Sequence, residues 1–271
     1  MGEIALQRHP FNASFEWQSP RGPFRRLTAS EVEHFDRDGY VILEHLLSPD
    51  TVAAATEAID HFEAKVEAFL RTQPDERMMI AEADALTVTL HIASRSKVLR
   101  DLVTSPDMTD LCHDLIGPDV NLYWDQAVYK KPEKPRRVPW HQDNGYTYIE
   151  PQQYLTVWLA LTDATLDNGC PRVAPGVHRY GTLAHEYVEP LGYECFTDPP
   201  REETAPVKAG GAVVFSSLMP HLTGPNLTDE VRKAYIVQYA PADAYVRTDD
   251  GDVPCADPVR QFPVLRGGQR V

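Results

Sequence analysis

The chain has 271 residues, of which 40 are acidic and 26 are basic, so its formal net charge is −14. A field of that sign repels phosphate backbones and anionic membrane surfaces, which argues against nucleic-acid or membrane partners. No apolar run reaches the roughly 20 residues of a spanning helix, and the N-terminus does not resemble a signal peptide. The 4 cysteines are widely spaced and suggest neither a disulfide framework nor a zinc site, so we expect a cytoplasmic protein.

The first part of the chain carries helix signals. Residues 1–27 are rich in proline, arginine and aromatic residues without a period, which indicates an arm lying on the body. Thr28-Ala-Ser-Glu31 is a capping box, and the helix it begins should end at Gly39, before a strand at 40–43. Ser48-Pro49 begins a longer helix. Spacings of three and four predict that one face of this helix is buried, through Val52, Ala55, Ile59, Phe62, Val66 and Phe69.

The character of the sequence changes at about residue 118. Before that point, residues 72–95 are irregular, which indicates a loop, and short helices are predicted at 97–104 and 106–116. After it, β-branched and aromatic residues separated by turn-forming residues predict strands. These predicted strands are 120–130, 154–162, 211–217 and 232–240.

Helices followed by short strands favour an α+β fold that is mainly β, with a sandwich or barrel as its core. We predict a single domain at residues 28–240, with the β core at about 118–240. Residues 241–271 contain several prolines and are expected to form an extended tail packed on the outside.

The sequence Trp140-His-Gln-Asp143 is the pattern of greatest chemical interest. A His-x-Asp pair offers an imidazole and a carboxylate to a metal ion, and a distant histidine such as His221 would complete a three-ligand face. That set is the 2-His-1-carboxylate facial triad of non-haem Fe(II) oxygenases. Taken alone, a His-x-Asp pair is more often a chance pair on a surface loop.

Arg232 follows His221 by 11 residues and begins a predicted strand. In that strand, side chains two residues apart share a face, so Arg232, Ala234, Ile236 and Gln238 should point the same way. An arginine at the mouth of a metal pocket suits a dicarboxylate, because the planar guanidinium can hold a carboxylate with two parallel hydrogen bonds. The plainer alternative is an ion pair with a nearby acidic residue.

These residues lie within a longer pattern that resembles the phytanoyl-CoA dioxygenase family of Fe(II)/2-oxoglutarate oxygenases. The resemblance covers roughly residues 27–240 in order and spacing. Besides the residues above, it includes Leu27-Thr-Ala-Ser-Glu31, Asp38-Gly-Tyr-Val-Ile42, Lys131-Pro132, Leu155-Thr-Val-Trp-Leu-Ala-Leu-Thr162, Asp167-Asn-Gly-Cys170 and Ala174-Pro-Gly-Val-His178. The family usually has Pro-Gly-Ser-His where this chain has Pro175-Gly-Val-His178, which we interpret as a local turn variant.

The resemblance implies a double-stranded β-helix, a jelly roll related to the cupins, with the N-terminal helices packed outside. It implies His141, Asp143 and His221 as iron ligands and catalytic centre. It further implies Arg232 as the residue that pairs with the distal carboxylate of 2-oxoglutarate. Four other positions match residues lining the cosubstrate pocket: Thr156, Trp158, Gln126 and Thr223.

The implied activity is a dioxygenase that uses Fe(II), 2-oxoglutarate and O2. It would hydroxylate an unactivated C–H bond of a small molecule, such as a secondary metabolite or lipid-like compound, and release succinate and CO2. Asp143 favours hydroxylation over halogenation, because related halogenases have a small residue there. Desaturation, epoxidation or cyclisation at the same site, and a cupin-type metalloenzyme without 2-oxoglutarate, remain alternatives. Monomer and homodimer are both open.

Several other residues are weaker candidates. Residues 72–95, with Met78, Met79 and His91, and residues 180–205, with Tyr193 and Phe196, are free of family motifs and are expected to set substrate selectivity.

Neighbours of the His-x-Asp pair are also candidates. Tyr146 and Tyr148 could project into the pocket or lie at strand edges. Lys130-Lys131 and Arg136-Arg137 form a basic cluster that could contact an anionic substrate, although a solvated loop is the simpler interpretation. His178 is expected to be structural.

Overall fold

The computed structural model describes residues 6–132 and 139–271, and the α-helices of this part all precede residue 116. Their bounds are α1 Ala29–Asp38, α2 Pro49–Leu70, α3 Lys97–Val103 and α4 Pro106–Leu115. The predicted capping box is present, since Thr28 accepts from the Glu31 backbone and Glu31 accepts from the Thr28 backbone. Gly39 ends α1 with φ +85°, a conformation that glycine adopts without a Cβ penalty. No helix among the described residues is long and apolar enough to cross a membrane.

Beside three short 3-10 helices in the described residues, at Pro74–Glu76, Asp143–Gly145 and Val177–Tyr180, the remaining regular structure consists of strands. In chain order they are β1 Tyr40–Leu43, β2 Arg77–Met78, β3 Ala81–Glu82, β4 Leu86–Leu90, β5 Val120–Lys130, β6 Ile149–Glu150, β7 Leu155–Ala160, β8 Pro171–Val173, β9 Glu186–Val188, β10 Gly192–Glu194, β11 Glu203–Thr204, β12 Ala212–Ser216, β13 His221–Thr223, β14 Arg232–Pro241, β15 Tyr245–Thr248, β16 Gly251–Pro254, β17 Phe262–Arg266 and β18 Gln269–Arg270. The four predicted strands correspond to β5, β7, β12 and β14.

One large antiparallel sheet organises the molecule, in the order β1-β12-β7-β14-β5-β4-β3-β2, with β17 also paired to β5. A smaller sheet, β11-β8-β13, contributes buried residues such as Val173 to the apolar cluster that includes Trp158 and Ile236 of the large sheet. Two sheets closed around a common interior form the predicted jelly roll.

The helices cover the other face of the large sheet. Ile59 of α2 and Leu99 of α3 are fully buried in one cluster with Val157 and Val237. The same cluster includes Leu27, at the end of the arm. The large sheet is therefore covered on both faces, by the helices on one and by the smaller sheet on the other. Burial on both faces explains why its central strands are nearly continuous apolar runs in the sequence.

Two sequence predictions about local structure were wrong. Residues 72–95 are not simply a loop, since they contain β2 and β3, and β4 pairs with β5 along its whole length. Asp75, Met79 and Asp84 have positive φ, and the tight turns at these residues separate strands too short to give a hydrophobic period in the sequence. Phe69 was predicted to lie on the buried face of α2, but it is 47% exposed, and its neighbour Leu70 is buried instead.

The C-terminal residues are more than an outer tail. β17 pairs with β5 and places Val264 and Leu265 in the main core. The predicted domain bounds of 28–240 stay a prediction, but the core of the described residues extends beyond them.

Buried His178 gives the fold a predicted pH dependence. Its ring lies 4.4 Å from Trp17 between centroids, and burial lowers the pKa of His178 from 6.5 to about 4. The unfolded chain therefore binds more protons between these values, so the free energy of unfolding should fall as pH drops from 6.5 to 4. The contribution of His178 is about 3 kcal/mol. Denaturant titrations with a chelator present should show a shallower pH slope for His178→Phe, and an unchanged slope would contradict the assignment.

Candidate active site

His141, Asp143 and His221 converge at one place. Each offers a ligand atom, and these atoms lie within 4.8 Å of one another. His221 Nε2 is 3.8 Å from Asp143 Oδ1, and the two imidazole centroids are 4.4 Å apart. The two histidines are far apart in the sequence, but their backbones pair directly. His141 and His221 exchange two N–H···O hydrogen bonds of 3.1 and 2.9 Å.

Hydrogen bonds on the far side of each ligand prepare it for a metal ion. His141 Nδ1 lies 3.0 Å from the Pro139 carbonyl, and His221 Nδ1 lies 3.0 Å from the Met219 carbonyl. Each Nδ1 therefore carries the proton, and each Nε2 lone pair faces the site. Burial, and then the charge of His221, hold the pKa of His141 well below 6.5, which favours the neutral, metal-binding imidazole. The donor set thus fits a divalent metal ion of the N/O-binding kind.

Asp143 is oriented by Thr156 of β7. The Thr156 hydroxyl donates a short hydrogen bond to Asp143 Oδ2, which leaves Oδ1 towards His221. Thr156 was predicted from the resemblance to line the cosubstrate pocket, and it does border the cavity. Its contact with the carboxylate is a second role that the sequence did not indicate.

Thr156→Val should therefore weaken metal binding. The variant is nearly isosteric but removes the only hydrogen bond that the Thr156 hydroxyl makes to Asp143. Loss of such a supporting contact typically costs 10- to 100-fold in metal affinity. Competition of the protein with a fluorescent Fe(II) chelator would measure this, with Thr156→Ser as the control that keeps the hydroxyl. Equal affinities for all three proteins would contradict the proposed orientation.

Gln142, between the two ligands of the His-x-Asp pair, points away from them into the protein. Its side chain is fully buried, donates to the carbonyls of Gly181 and Leu218, and accepts from the Leu183 N–H. The Gln142 N–H in turn donates to Nε2 of His185. These contacts fix the backbone of the pair, and because their partners are 39 to 76 residues away, sequence reasoning missed them.

Two buried cations occupy one end of the cavity. Arg232 and Lys130 are directly paired across β14 and β5 and are 1% and 2% exposed. The Arg232 guanidinium lies 5.1 Å from the Trp158 ring centroid, a cation–π contact. Lys130 Nζ donates to the carbonyls of Thr223 and Gly224 at 3.1 and 2.6 Å. The interpretation of Lys130 as part of a solvated loop was wrong, whereas Lys131 does lie outside, ion-paired with Glu67. Arg136-Arg137 lie outside the described residues.

The triad and both cations border one cavity of about 410 Å³. The remaining residues predicted to line the cosubstrate pocket, Trp158, Gln126 and Thr223, border it as well, and Arg232, Ile236 and Gln238 do share the predicted face. Sequence reasoning missed other wall residues, namely Tyr123, Trp124, Val128, Thr147, Tyr154 and Phe215. Only the period-two pattern of β5 and β7 could have indicated some of them. Ile80, Leu86 and Val88 also border the cavity, and they lie in the segment 72–95 that was expected to set substrate selectivity.

Of the weaker candidates, some border the cavity and others do not. Tyr146 borders the cavity, whereas Tyr148 stacks on His9 at 4.7 Å. His91 lies against Trp124, 4.2 Å between ring centroids, behind the cavity wall. Met78 and Met79 are exposed.

Known proteins resemble this chain over most of its length. The family model described as Phytanoyl-CoA dioxygenase (PhyH) matches residues 35–234, a range that includes the triad and both cations. Phytanoyl-CoA dioxygenase domain-containing protein 1 of Danio rerio is 28% identical over 261 residues, covering 77% of this chain and 88% of that protein. An ectoine dioxygenase of Sphingopyxis alaskensis is 26% identical over 236 residues, covering 79% and 76%.

Solved structures share the architecture. The non-haem α-ketoglutarate-dependent carbocyclase SnoK from nogalamycin biosynthesis superposes with a TM-score of 0.72 at 24% identity, covering 90% of this chain and all of that one. EvdO2 from Micromonospora carbonacea var. aurantiaca, solved with 2-oxoglutarate, gives 0.63 at 26% identity, covering 87% and 97%. Both likenesses agree with the jelly-roll fold of this chain.

Proposed function

Because the chain belongs to the phytanoyl-CoA dioxygenase family of Fe(II)- and 2-oxoglutarate-dependent oxygenases, we propose that it hydroxylates a C–H bond of a small molecule in its cavity. The observation that carries the proposal is one cavity bordered by a three-ligand metal face and by two buried cations. The alternative of a metalloenzyme that does not use 2-oxoglutarate is set aside by the family.

His141, Asp143 and His221 would hold the Fe(II) ion. When bound, the iron supplies the oxidative decarboxylation of 2-oxoglutarate by O2 to succinate and CO2, coupled to oxidation of a substrate C–H bond. The protein contributes the fixed orientation of its ligands through the carbonyls of Pro139 and Met219. A face of three protein ligands is the donor set of non-haem Fe(II) oxygenases and would leave that iron accessible to small molecules.

Arg232 and Lys130 would bind the distal carboxylate of 2-oxoglutarate. Two positive charges in a buried site attract an anion more strongly than they would in water, because the local dielectric constant is low. Trp158, which contacts the Arg232 guanidinium, keeps that fork in place. Gln126 and Thr223 border the same cavity and would contact the cosubstrate less directly.

The size of the cavity bears on the substrate. About 410 Å³ lies in the range typical of small-molecule sites, and 2-oxoglutarate would occupy part of it. A whole acyl-CoA would not fit inside, which favours a compact small molecule. The net charge of −14 argues against nucleic acid as a partner.

A cytoplasmic location is part of the proposal. It rests on four free cysteines, which suit a reducing compartment. Monomer and homodimer both remain compatible with it.

The test is a screen of small molecules with Fe(II), 2-oxoglutarate and O2. A substrate should raise succinate release, and its product should gain one oxygen atom by mass spectrometry. A product that loses two hydrogens instead would show desaturation or cyclisation. If 2-oxoglutarate is not consumed, with or without any compound, the proposal fails.

A further inference from the structure

Strand register divides the cavity into two ends. On β14, Arg232 pairs with Lys130, whereas Gln238 pairs with Thr156 on one side and with Trp124 on the other. Six residues separate Arg232 from Gln238, which is about 20 Å of strand. Since Thr156 also bonds to Asp143, the metal ligands lie at the level of Gln238. The proposed cosubstrate end therefore lies towards Arg232, and the second side of the cavity, around Gln238 and the triad, is left for the substrate.

Tyrosines dominate that second side, which we call the tyrosine chamber. Its walls are Tyr123, Trp124, Tyr146, Tyr154 and Gln238. Trp124 is opposite Gln238 in the sheet, and Tyr123 lies 5.6 Å from Tyr154 between ring centroids. Tyr154 immediately precedes β7, and Tyr146 lies beside His141.

Charge is distributed unevenly between the two ends. Among the described residues that border the cavity, both the lysine and the arginine belong to the cosubstrate end. Arg260 contacts Trp124 from outside the lining and is paired with Asp257 at 2.9 Å. A carboxylate or phosphate in the tyrosine chamber would lose its hydration without gaining a cation in the described walls, which is unfavourable. Phenol rings instead offer flat apolar faces and hydroxyl groups.

Among the residues of the tyrosine chamber, Tyr146 is the one whose ring contacts the ring of a metal ligand. Its ring is edge-on to His141, 5.3 Å between centroids, and edge-on to Tyr193 of β10 at 5.2 Å. The Tyr146 hydroxyl packs closely against Gly192 of β10. A Cβ atom added to Gly192 would lie only 2.5 Å from the hydroxyl oxygen. Gly192 has φ +109°, so a side chain there would be strained as well. Tyr146 is thus held between the metal site and the β9–β10 hairpin.

Resting on the proposed function, we infer that Tyr146 is a specificity-determining residue and that the substrate is an uncharged molecule with a ring system, whose face packs on Tyr146. Tyr123, Tyr154 and Gln238 then supply hydrogen bonds to oxygen substituents of that ring system. The β9–β10 hairpin acts through Tyr193 and Gly192, which hold the Tyr146 ring in place.

Three probes test the substrate class: 2-naphthalenemethanol, 2-naphthoate with the same rings and a negative charge, and 1-decanol, which is neutral and acyclic. Binding is measured on the metal-free protein with saturating 2-oxoglutarate, so that Arg232 and Lys130 are occupied, by fluorescence for the naphthalenes and by competition for decanol. The neutral ring probe should bind at least about tenfold more tightly than either of the others. Equal or tighter binding of naphthoate or decanol, or no binding of the neutral ring probe, would overturn the inference.

Variants test Tyr146 itself. Loss of one aromatic contact typically weakens binding about three- to tenfold, so Tyr146→Ala should do so for 2-naphthalenemethanol, while Tyr146→Phe should restore most of the affinity. Tyr187→Ala is the matched control, since that ring lies farther out, 5.5 Å from Tyr193, and does not border the cavity. An unchanged Tyr146→Ala, or an equal effect of Tyr187→Ala, would refute the role of Tyr146.

The same proteins separate this inference from the proposed function. Anaerobic addition of Fe(II) and 2-oxoglutarate should give the same visible charge-transfer band in the control Tyr187→Ala, whose ring does not border the cavity, as in the unsubstituted protein. A missing band in the unsubstituted protein would refute the proposed function. Probe binding, measured without metal, would still decide the inference about the chamber.

Discussion

Replacing His141 by alanine is expected to abolish the visible charge-transfer band that forms when the protein binds Fe(II) and 2-oxoglutarate without O2. His141 supplies one of three ligand atoms within 4.8 Å, and two ligands hold a divalent ion far less firmly. Even loss of a supporting residue costs 10- to 100-fold, so loss of a ligand should lower metal affinity, and 2-oxoglutarate turnover with it, by at least about 100-fold. Absorption titration and succinate release measure the two effects.

His45→Ala is the control for this variant, because His45 is exposed and belongs to the segment between β1 and α2. It should leave both the band and the turnover unchanged. A band of normal intensity in His141→Ala would remove His141 from the metal site. Circular dichroism of the variant would show that the loss does not come from unfolding, since the His141 backbone bonds to His221 persist after truncation of the side chain.

Arg232→Gln is expected to raise the dissociation constant for 2-oxoglutarate by about 30-fold to several thousand-fold. The substitution keeps a hydrogen-bonding side chain but removes the charge that would face the distal carboxylate. Truncating one partner of a buried charge pair costs about 2–5 kcal/mol, which is this range of fold-changes. The dissociation constant is read from the charge-transfer band as 2-oxoglutarate is titrated at saturating Fe(II).

Arg232→Lys separates charge from geometry. It keeps the positive charge but loses the planar fork and the stacking on Trp158, so its defect should be smaller than that of Arg232→Gln but clearly measurable. Fe(II) binding without 2-oxoglutarate should be retained in both variants. If Arg232→Gln bound 2-oxoglutarate normally, another residue would have to hold the carboxylate. Lys130 would then be the next residue to mutate.

Local signals in the sequence were enough for most of the scaffold. The capping box at Thr28, the proline after Ser48 and the apolar strand 120–130 each correspond to elements observed within a residue or two. Caps and strands of this kind are specified by residues close in sequence. The meeting of His141, Asp143 and His221 was also predictable from the resemblance, because His141 and Asp143 share one short motif and His221 lies 11 residues before Arg232.

The wall of the cavity was less predictable. Lys130 looked like a surface residue because it belongs to a basic sequence, yet its pairing with Arg232 and its bonds to Thr223 and Gly224 bury it. Thr156 was expected to line the pocket, but its bond to Asp143 depends on how β7 passes the His-x-Asp segment. Contacts of this sort follow from strand register, which is decided by pairing between distant segments.

The sequence by itself therefore determined the main helices, the four central strands and the family, since these depend on local pattern and on motif order. Tertiary structure alone decided which further residues, such as Lys130 and Tyr154, share the cavity with the triad. Gly192 and Tyr146 are 46 residues apart, and only packing of the β9–β10 hairpin brings the glycine against the tyrosine hydroxyl. The physical reason is that a cavity wall is made of side chains from many strands, and no local pattern records which faces will meet.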